Sequence, residues 1–246
     1  MNTAINVGQP VGTVVVRKQG GLMLPLQHGL GSLDLVAHEL KILADPEAHL
    51  PENRFNDGKC DPAGRFWAGT MAFVAIKGAA NLYRMETDLS VRQVLGKISI
   101  SNGIVWSPDH RTMYCIDSLK MDIRAYDFEA ASGQIANEQV VCRFAEGMGL
   151  PDGMALDEEG MLWVAHYNGA RVCRWNPNTG EVMQTIPLPV SRVTACAFGG
   201  ADLDTLYITS ASMNMSEADW KKEPQAGGLF VCRPGVRGTP TYRFRG

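Results

Sequence analysis

Three short segments of the chain each carry a side-chain oxygen directly before a glycine. They are Asn56-Asp57-Gly58, Asn102-Gly103 and Asp152-Gly153. Amide and carboxylate oxygens are the ligands that hard cations such as Ca²⁺, Mg²⁺ and Mn²⁺ prefer, and Zn²⁺ also accepts them. A divalent cation with open coordination positions polarises a carbonyl group and lowers the pKa of bound water. If the three segments meet in space, the sequence therefore predicts metal-assisted hydrolysis.

The three segments recur with the period of a structural repeat. Each is followed by an apolar strand, a polar turn and a second strand that contains an aromatic residue. The aromatic residues of successive repeats are Trp67, Tyr114, Trp163 and Tyr207, which lie 44 to 49 residues apart. This period is typical of stacked units such as β-propeller blades. Asn-Gly and Asp-Gly are also ordinary turn dipeptides, but their common register favours one shared site on a propeller axis.

Each repeat divides into four short strands that are separated by turn residues. In the second repeat we predict strands at residues 58–61, 65–71, 81–86 and 91–95, and in the fifth at 195–198, 206–209 and 228–232. The only helix-friendly stretch is at residues 215–222. We therefore predict an all-β protein, a propeller of four-stranded blades with about five blades in this chain. Either the ring has five blades or a blade is missing at the front.

The composition is that of one globular domain spanning residues 1–246. The chain is 45% hydrophobic and 20% charged, with a net charge of −3, and its 26 glycines and 13 prolines suit many tight turns. This charge balance gives no support for a nucleic-acid partner or an anionic membrane, which both favour basic surfaces. Six isolated cysteines form no zinc motif and predict buried thiols in a reducing, cytoplasmic compartment. The first residues lack the features of a signal peptide.

Other candidate residues give weaker evidence for a catalytic role. No Gly-x-Ser-x-Gly elbow is present to support serine-hydrolase chemistry. The five histidines are isolated, and we interpret them as surface residues, although His166 could face the pocket. Trp67, Trp163 and Trp175 lie in strand-like segments and are interpreted as packing residues.

Several motifs resemble the regucalcin (senescence marker protein)/gluconolactonase family. Residues 53–59 (Asn-Arg-Phe-Asn-Asp-Gly-Lys) and 61–71 (Asp-Pro-Ala-Gly-Arg-Phe-Trp-Ala-Gly-Thr-Met) are similar to the family signature. So are residues 100–103 (Ile-Ser-Asn-Gly), 114–118 (Tyr-Cys-Ile-Asp-Ser), 150–153 (Leu-Pro-Asp-Gly), 162–165 (Leu-Trp-Val-Ala) and 196–200 (Cys-Ala-Phe-Gly-Gly). The resemblance runs from about Val11 to the C-terminus, with the same order and spacing of motifs.

The resemblance implies a six-bladed propeller that binds one divalent cation on its axis and hydrolyses sugar lactones. By motif, Asn102 and Asp152 would be metal ligands, with Ca²⁺, Zn²⁺, Mn²⁺ or Mg²⁺ as the ion. Arg54 and Asn56 would bind the substrate, and Asp57 would support the site. Asp152 is also the candidate that accepts the proton of the attacking water.

Two departures from the family pattern leave alternatives open. The family's metal-binding glutamate lies on a first blade for which we find no counterpart, so we expect a propeller that is short at its N-terminus. Residues 72–77 (Ala-Phe-Val-Ala-Ile-Lys) replace a longer loop that is acidic in some relatives. The alternatives to a lactonase are a non-catalytic propeller that binds calcium or another ligand, and an inactive truncated form. The lactone, the metal and the oligomeric state remain open.

Overall fold

The computed structural model describes residues 4–246, and most of them lie in β-strands. Within this part of the chain the strands form five antiparallel sheets, four with four strands and one with three. The predicted all-β class and four-stranded unit are confirmed. The chain divides into two compact units: unit 1 comprises the residues up to Ser101 together with 241–246, and unit 2 comprises residues 102–240. The assignment of residues 1–246 to one domain stays a prediction.

Unit 1 contains two four-stranded sheets with strands paired in chain order. The first sheet is formed by β1 (Val15–Val16), β2 (Leu22–Pro25), β3 (Leu30–Leu33) and β4 (Leu40–Ala44). The second is formed by β5 (Asn53–Cys60), β6 (Phe66–Ala72), β7 (Ala80–Met85) and β8 (Val91–Ile98). Strand β5 begins at Asn53 and not at residue 58 as predicted. Arg54, Asn56 and Asp57 therefore lie within a strand.

Unit 2 contains the other three sheets. They are formed by β9 (Ser101–Trp106), β10 (Thr112–Asp117), β11 (Asp122–Glu129) and β12 (Gln134–Arg143); by β13 (Leu150–Leu156), β14 (Leu162–Tyr167), β15 (Arg171–Asn176) and β16 (Glu181–Pro187); and by β17 (Val193–Gly199), β18 (Thr205–Ser210) and β19 (Leu229–Cys232). The three strands predicted for the last sheet are confirmed.

Helical structure is limited to two short segments in the described residues, a 3₁₀ turn at Ser118–Lys120 and α1 at Glu217–Lys222. The helix falls in the stretch predicted from sequence, and Ser216 and Asp219 form a reciprocal capping box at its start. Among the described residues, no helix has the length and apolar character needed to span a membrane.

The first hairpin of every sheet closes with the same four-residue turn. In each turn the amide of the fourth residue donates to the carbonyl oxygen of the first. The fourth residue also has a positive φ, which glycine adopts without a steric penalty. The five turns are residues 17–20, 61–64, 107–110, 157–160 and 200–203. This local chemistry explains why the repeats are visible in the sequence.

A buried carboxylate fixes this hairpin in two of the sheets. Asp61 accepts a hydrogen bond from the indole nitrogen of Trp67 at 2.9 Å, and Asp157 accepts the same bond from Trp163 at 2.9 Å. Each carboxylate also pairs with a buried arginine, so neither charge is left uncompensated in the core. Both tryptophans are fully buried, which confirms their predicted packing role.

The end of the chain completes the core of unit 1. Phe244 is fully buried in the cluster that contains Val15 and Phe55. Its amide donates to the carbonyl oxygen of Val16, and its own carbonyl oxygen accepts from the amide of Lys18. The chain terminus therefore holds the first strand of unit 1 in place.

Candidate functional site

Strand β5 carries the three candidate residues of unit 1 at an irregularity in its pairing. The register with β6 shifts between Phe55 and Gly58, so Asn56 and Asp57 form a β-bulge. Bulges are common next to active sites because they redirect side chains out of the regular alternation. All three candidates, Arg54, Asn56 and Asp57, are half-buried.

Arg54 and Asn56 contact each other directly. The Arg54 guanidinium donates to Asn56 Oδ1 at 2.9 Å and to the carbonyl oxygen of Phe55 at 2.9 Å. Asn56 in turn donates from Nδ2 to the carbonyl oxygen of Ser101 at 2.8 Å. These bonds hold a cation and an amide side by side, an arrangement that can bind the oxygens of a small polar ligand. The structure thus brings together the two residues predicted to bind substrate.

Asp57 makes contacts that hold the bulge. Its carboxylate accepts a hydrogen bond from the amide of Gly58 at 2.7 Å. Burial raises the pKa of Asp57 above its ordinary value, while the charge of Lys59 and the Gly58 amide act in the opposite direction. The role of Asp57 as a supporting residue stays a prediction.

In unit 2, Asn102 is buried and its orientation is set by a hydrogen-bond chain. Its Nδ2 donates to Ser118 Oγ at 2.8 Å, and Ser118 Oγ donates to the carbonyl oxygen of Pro151 at 2.6 Å. Since the amide nitrogen is committed to Ser118, a ligand role for Asn102 would use its carbonyl oxygen Oδ1. Pro151 directly precedes Asp152, so the chain couples the segments that carry the two predicted metal ligands.

Asp152 lies on β13, which belongs to the next sheet along the chain, at a second bulge. The register between β13 and β14 shifts between Pro151 and Met154, which places the half-buried Asp152 at the irregularity. A Cβ atom on Gly103 would lie 2.9 Å from the carbonyl oxygen of Asp152. Glycine is therefore required at position 103 for the two strands to approach so closely. Within unit 2, the structure brings the backbone segments of Asn102 and Asp152, which belong to different sheets, close together.

The donor set of unit 2 fits a hard cation in type, since it offers one amide oxygen and one carboxylate. Among residues 4–246, no group of three or more His, Cys, Asp or Glu side chains is placed to hold a metal ion. Arg54, Asn56 and Asp57 belong to unit 1, whereas Asn102 and Asp152 belong to unit 2. The predicted meeting of Asn56, Asn102 and Asp152 around one cation stays a prediction.

His166 is not a surface residue, and our interpretation of it from sequence is wrong. It is fully buried, its ring lies 5.0 Å from that of Phe144 and nearly parallel to that of Trp175, and Nδ1 is 2.8 Å from the carbonyl oxygen of Met148. Burial lowers the pKa of His166 to about 4; the Met148 contact opposes this and the charge of Arg171 adds to it. His166 is therefore a neutral core residue.

Glu47 was not predicted from the sequence, and its buried carboxylate organises the start of β5. It accepts hydrogen bonds from four side chains, those of Asn53, Thr70, Asn81 and Tyr83, at 2.6 to 3.0 Å. The Asn53 bond anchors the residue that precedes Arg54. Because the donors lie on three strands and up to 36 residues away from Glu47, no local sequence pattern indicates this hydrogen-bond cluster.

Comparison with known proteins places this architecture in a family. Residues 1–212 match the family described as SMP-30/Gluconolactonase/LRE-like region. The chain is 41% identical to regucalcin of Xenopus laevis over 250 residues, which covers 99% of this chain and 83% of that protein. It is 38% identical to regucalcin of Homo sapiens over 248 residues, with 98% and 83% of the two chains covered.

Two solved structures are similar along nearly the whole chain. A luciferin-regenerating enzyme superposes with a TM-score of 0.91 at 32% identity, covering 98% of this chain and 83% of that chain. A calcium-binding protein, regucalcin from Agrobacterium tumefaciens, superposes with a TM-score of 0.93 at 27% identity, covering 99% and 82%. With a family model over most of its residues and relatives at about 40% identity, the chain belongs to the SMP-30/gluconolactonase/LRE-like family.

Proposed function

We propose that this protein is a metal-dependent lactonase that opens sugar lactones. The observation that carries the proposal is the coupling of Asn102 to the Asp152 segment through Ser118. It holds the Asn102 amide beside the segment that contains Asp152, and Gly103 permits the close approach of the two backbones. The family description includes gluconolactonase, and one solved relative is described as calcium-binding; both support the assignment.

The proposed reaction adds water across the ring ester of the lactone. Bound by Asn102 and Asp152, a divalent cation would polarise the ester carbonyl and acidify water. Asp152 accepts the proton of the attacking water and passes it to the ring oxygen as the ring C–O bond breaks, so that this oxygen leaves as a hydroxyl group. Arg54 stabilises the negative charge that develops on the carbonyl oxygen, and Asn56 orients a sugar oxygen. The product is the open hydroxy acid.

A sixth blade is part of the proposal. The three-stranded sheet of unit 2 exposes Leu229 and Val231, and the first sheet of unit 1 exposes Val16, with Val14 exposed directly before its first strand. Apolar residues in such rows on a sheet face usually pack against another element. We propose that each of these faces packs against another element and, following the family pattern, that a sixth blade supplies the glutamate ligand that we do not find in this sequence.

The cellular setting follows from the cysteines. All six are free thiols and five are buried, which fits a reducing compartment. We therefore propose a cytoplasmic enzyme whose partner is a small sugar lactone.

The second candidate is a propeller that binds a cation without catalysis. A single carboxylate ligand favours it, because affinity for a hard cation falls when charge and ligand number fall. The Agrobacterium relative, which is described as calcium-binding, is compatible with this second function.

Lactone hydrolysis by the purified protein separates the two candidates. We expect acid release from D-glucono-δ-lactone, followed in a pH-stat and corrected for the spontaneous rate. The rate should disappear with EDTA and return with Ca²⁺, Mn²⁺, Zn²⁺ or Mg²⁺. Metal binding measured by calorimetry without any hydrolysis would favour the binding protein. Absence of both would contradict both candidates.

A further inference from the structure

Strand β17 continues, within unit 2, the series of strands that carries Asn102 and Asp152. A Cβ atom on Gly153 would lie 2.9 Å from the carbonyl oxygen of Thr194, just as one on Gly103 would lie 2.9 Å from that of Asp152. The backbone of Thr194 therefore approaches the Asp152 segment in the same way as the backbone of Asp152 approaches the Asn102 segment. The threonine occupies the next equivalent position of the repeat.

Thr194 also has the local backbone geometry of the other candidates. The register between β17 and β18 shifts between Val193 and Ala195, so Thr194 is the bulged residue. Asp152 lies at the corresponding shift between β13 and β14. A bulge redirects one side chain at a defined point of the strand, and here the redirected side chain is polar in both sheets.

The hydroxyl group of a second threonine, Thr209, lies beside that of Thr194. Thr194 Oγ1 lies 2.8 Å from Thr209 Oγ1 on the paired strand β18, and Thr209 makes a further long contact of 3.5 Å to the carbonyl oxygen of Ala195. Thr209 is exposed and Thr194 is half-buried. Each hydroxyl carries one proton and two acceptor sites, so the pair can both donate to and accept from a bound group.

The chemistry of this pair indicates its ligand. Two neutral hydroxyl groups supply no charge for a cation and no strong donor for an oxyanion, but they match the mixed donor and acceptor character of alcohol groups. We propose that Thr194, positioned by Thr209, binds a hydroxyl group of the substrate and so selects hydroxylated lactones over unsubstituted ones. This inference rests on the proposed lactonase function and adds a specificity-determining residue to it.

The test compares two lactones that differ only in their hydroxyl groups and hydroxymethyl arm. Thr194→Val keeps the shape of the side chain and removes the hydroxyl. We expect it to lower kcat/KM for D-glucono-δ-lactone about tenfold, mainly through KM, as the loss of one ligand hydrogen bond. For δ-valerolactone the value should change less than twofold. Thr194→Ser should restore hydrolysis of the sugar lactone, and Thr205→Val on the same strand pair should leave both substrates unaffected.

A binding measurement keeps this inference separate from the proposed function. D-glucono-δ-lactam is a hydrolysis-resistant analogue, and its affinity can be measured by calorimetry against that of δ-valerolactam. Binding of the gluconolactam that Thr194→Val weakens about tenfold would support the inference even if the wild-type protein hydrolysed no lactone. If Thr194→Val impairs hydrolysis of both lactones equally, or of neither, the inference is wrong. The proposed lactonase function would be unaffected by that result. No preference of the wild-type protein for gluconolactam over valerolactam would overturn it as well.

Discussion

Asn102 Nδ2 donates to Ser118 Oγ at 2.8 Å, and the same hydroxyl donates to the carbonyl oxygen of the residue before Asp152. Ser118 is almost completely buried, so water does not compete for either bond. One serine therefore fixes both the direction of the Asn102 amide and the distance between two strands of unit 2.

Removing this hydroxyl should weaken metal binding without removing a ligand. We expect Ser118→Ala to lower the affinity for Mn²⁺ or Ca²⁺ about 10- to 100-fold, the usual effect of losing a residue that orients a ligand. Isothermal titration calorimetry on the purified protein measures this affinity. Ser132→Ala, on an exposed turn, is the control and should bind as the wild type does. An unchanged affinity in Ser118→Ala would contradict the assigned role of Ser118 in positioning Asn102 for metal binding.

Asp152 is the residue on which the proposed chemistry depends most. Asp152→Asn keeps the size of the side chain but removes its charge and basicity, so kcat for D-glucono-δ-lactone should fall about 10²- to 10⁴-fold. Steady-state rates from a pH-stat provide the measurement. Asp202→Asn changes an exposed carboxylate of the same unit and should retain the wild-type rate. Activity of Asp152→Asn within twofold of wild type would exclude its assigned role.

The four donors that surround Glu47 make it a stability determinant of unit 1. Glu47→Gln places an amide NH₂ among groups that need an acceptor, so we expect the free energy of unfolding to fall by about 1–3 kcal/mol. Urea denaturation followed by tryptophan fluorescence reports the loss. Glu52→Gln, at an exposed position near the start of β5, should change stability by less than about 0.5 kcal/mol. Equal stability of the two variants would mean that the cluster contributes nothing measurable.

His166 predicts a pH dependence of stability with a definite sign. Its pKa is lowered from 6.5 to about 4 in the folded protein, so between these values the unfolded state binds more protons than the folded state. Its contribution is fully present above about pH 6.5 and is lost as the pH falls toward 4, a change of about 3 kcal/mol.

Urea unfolding between pH 4 and 7 checks this prediction. In His166→Asn, whose amide can still donate to Met148, the part of the pH dependence due to the imidazole should vanish. His49→Asn removes an exposed histidine and should leave the dependence as in wild type. The same slope in wild type and His166→Asn would contradict the low pKa.

Local sequence accounts for most of the sheets. The turn at residues 61–64 and its counterpart at 157–160 need only four adjacent residues, the last of them glycine with positive φ. Short strands between such turns are likewise local features, and the three strands of the last sheet follow from them. The start of β5 was missed because the strand runs through the Asn56-Asp57 bulge, which resembles a turn in the sequence.

What the sequence by itself determined was the repeat, the all-β class, the family resemblance and the equivalence of Asn102 and Asp152, because these depend on residue types at fixed spacings. The tertiary structure alone decided that His166 is buried, that Glu47 gathers donors from three strands, and that Thr194 and Thr209 lie 2.8 Å apart. Burial and side-chain partnership depend on which distant strands pair and at which register. A one-residue change of register would turn a side chain to the other face of its sheet.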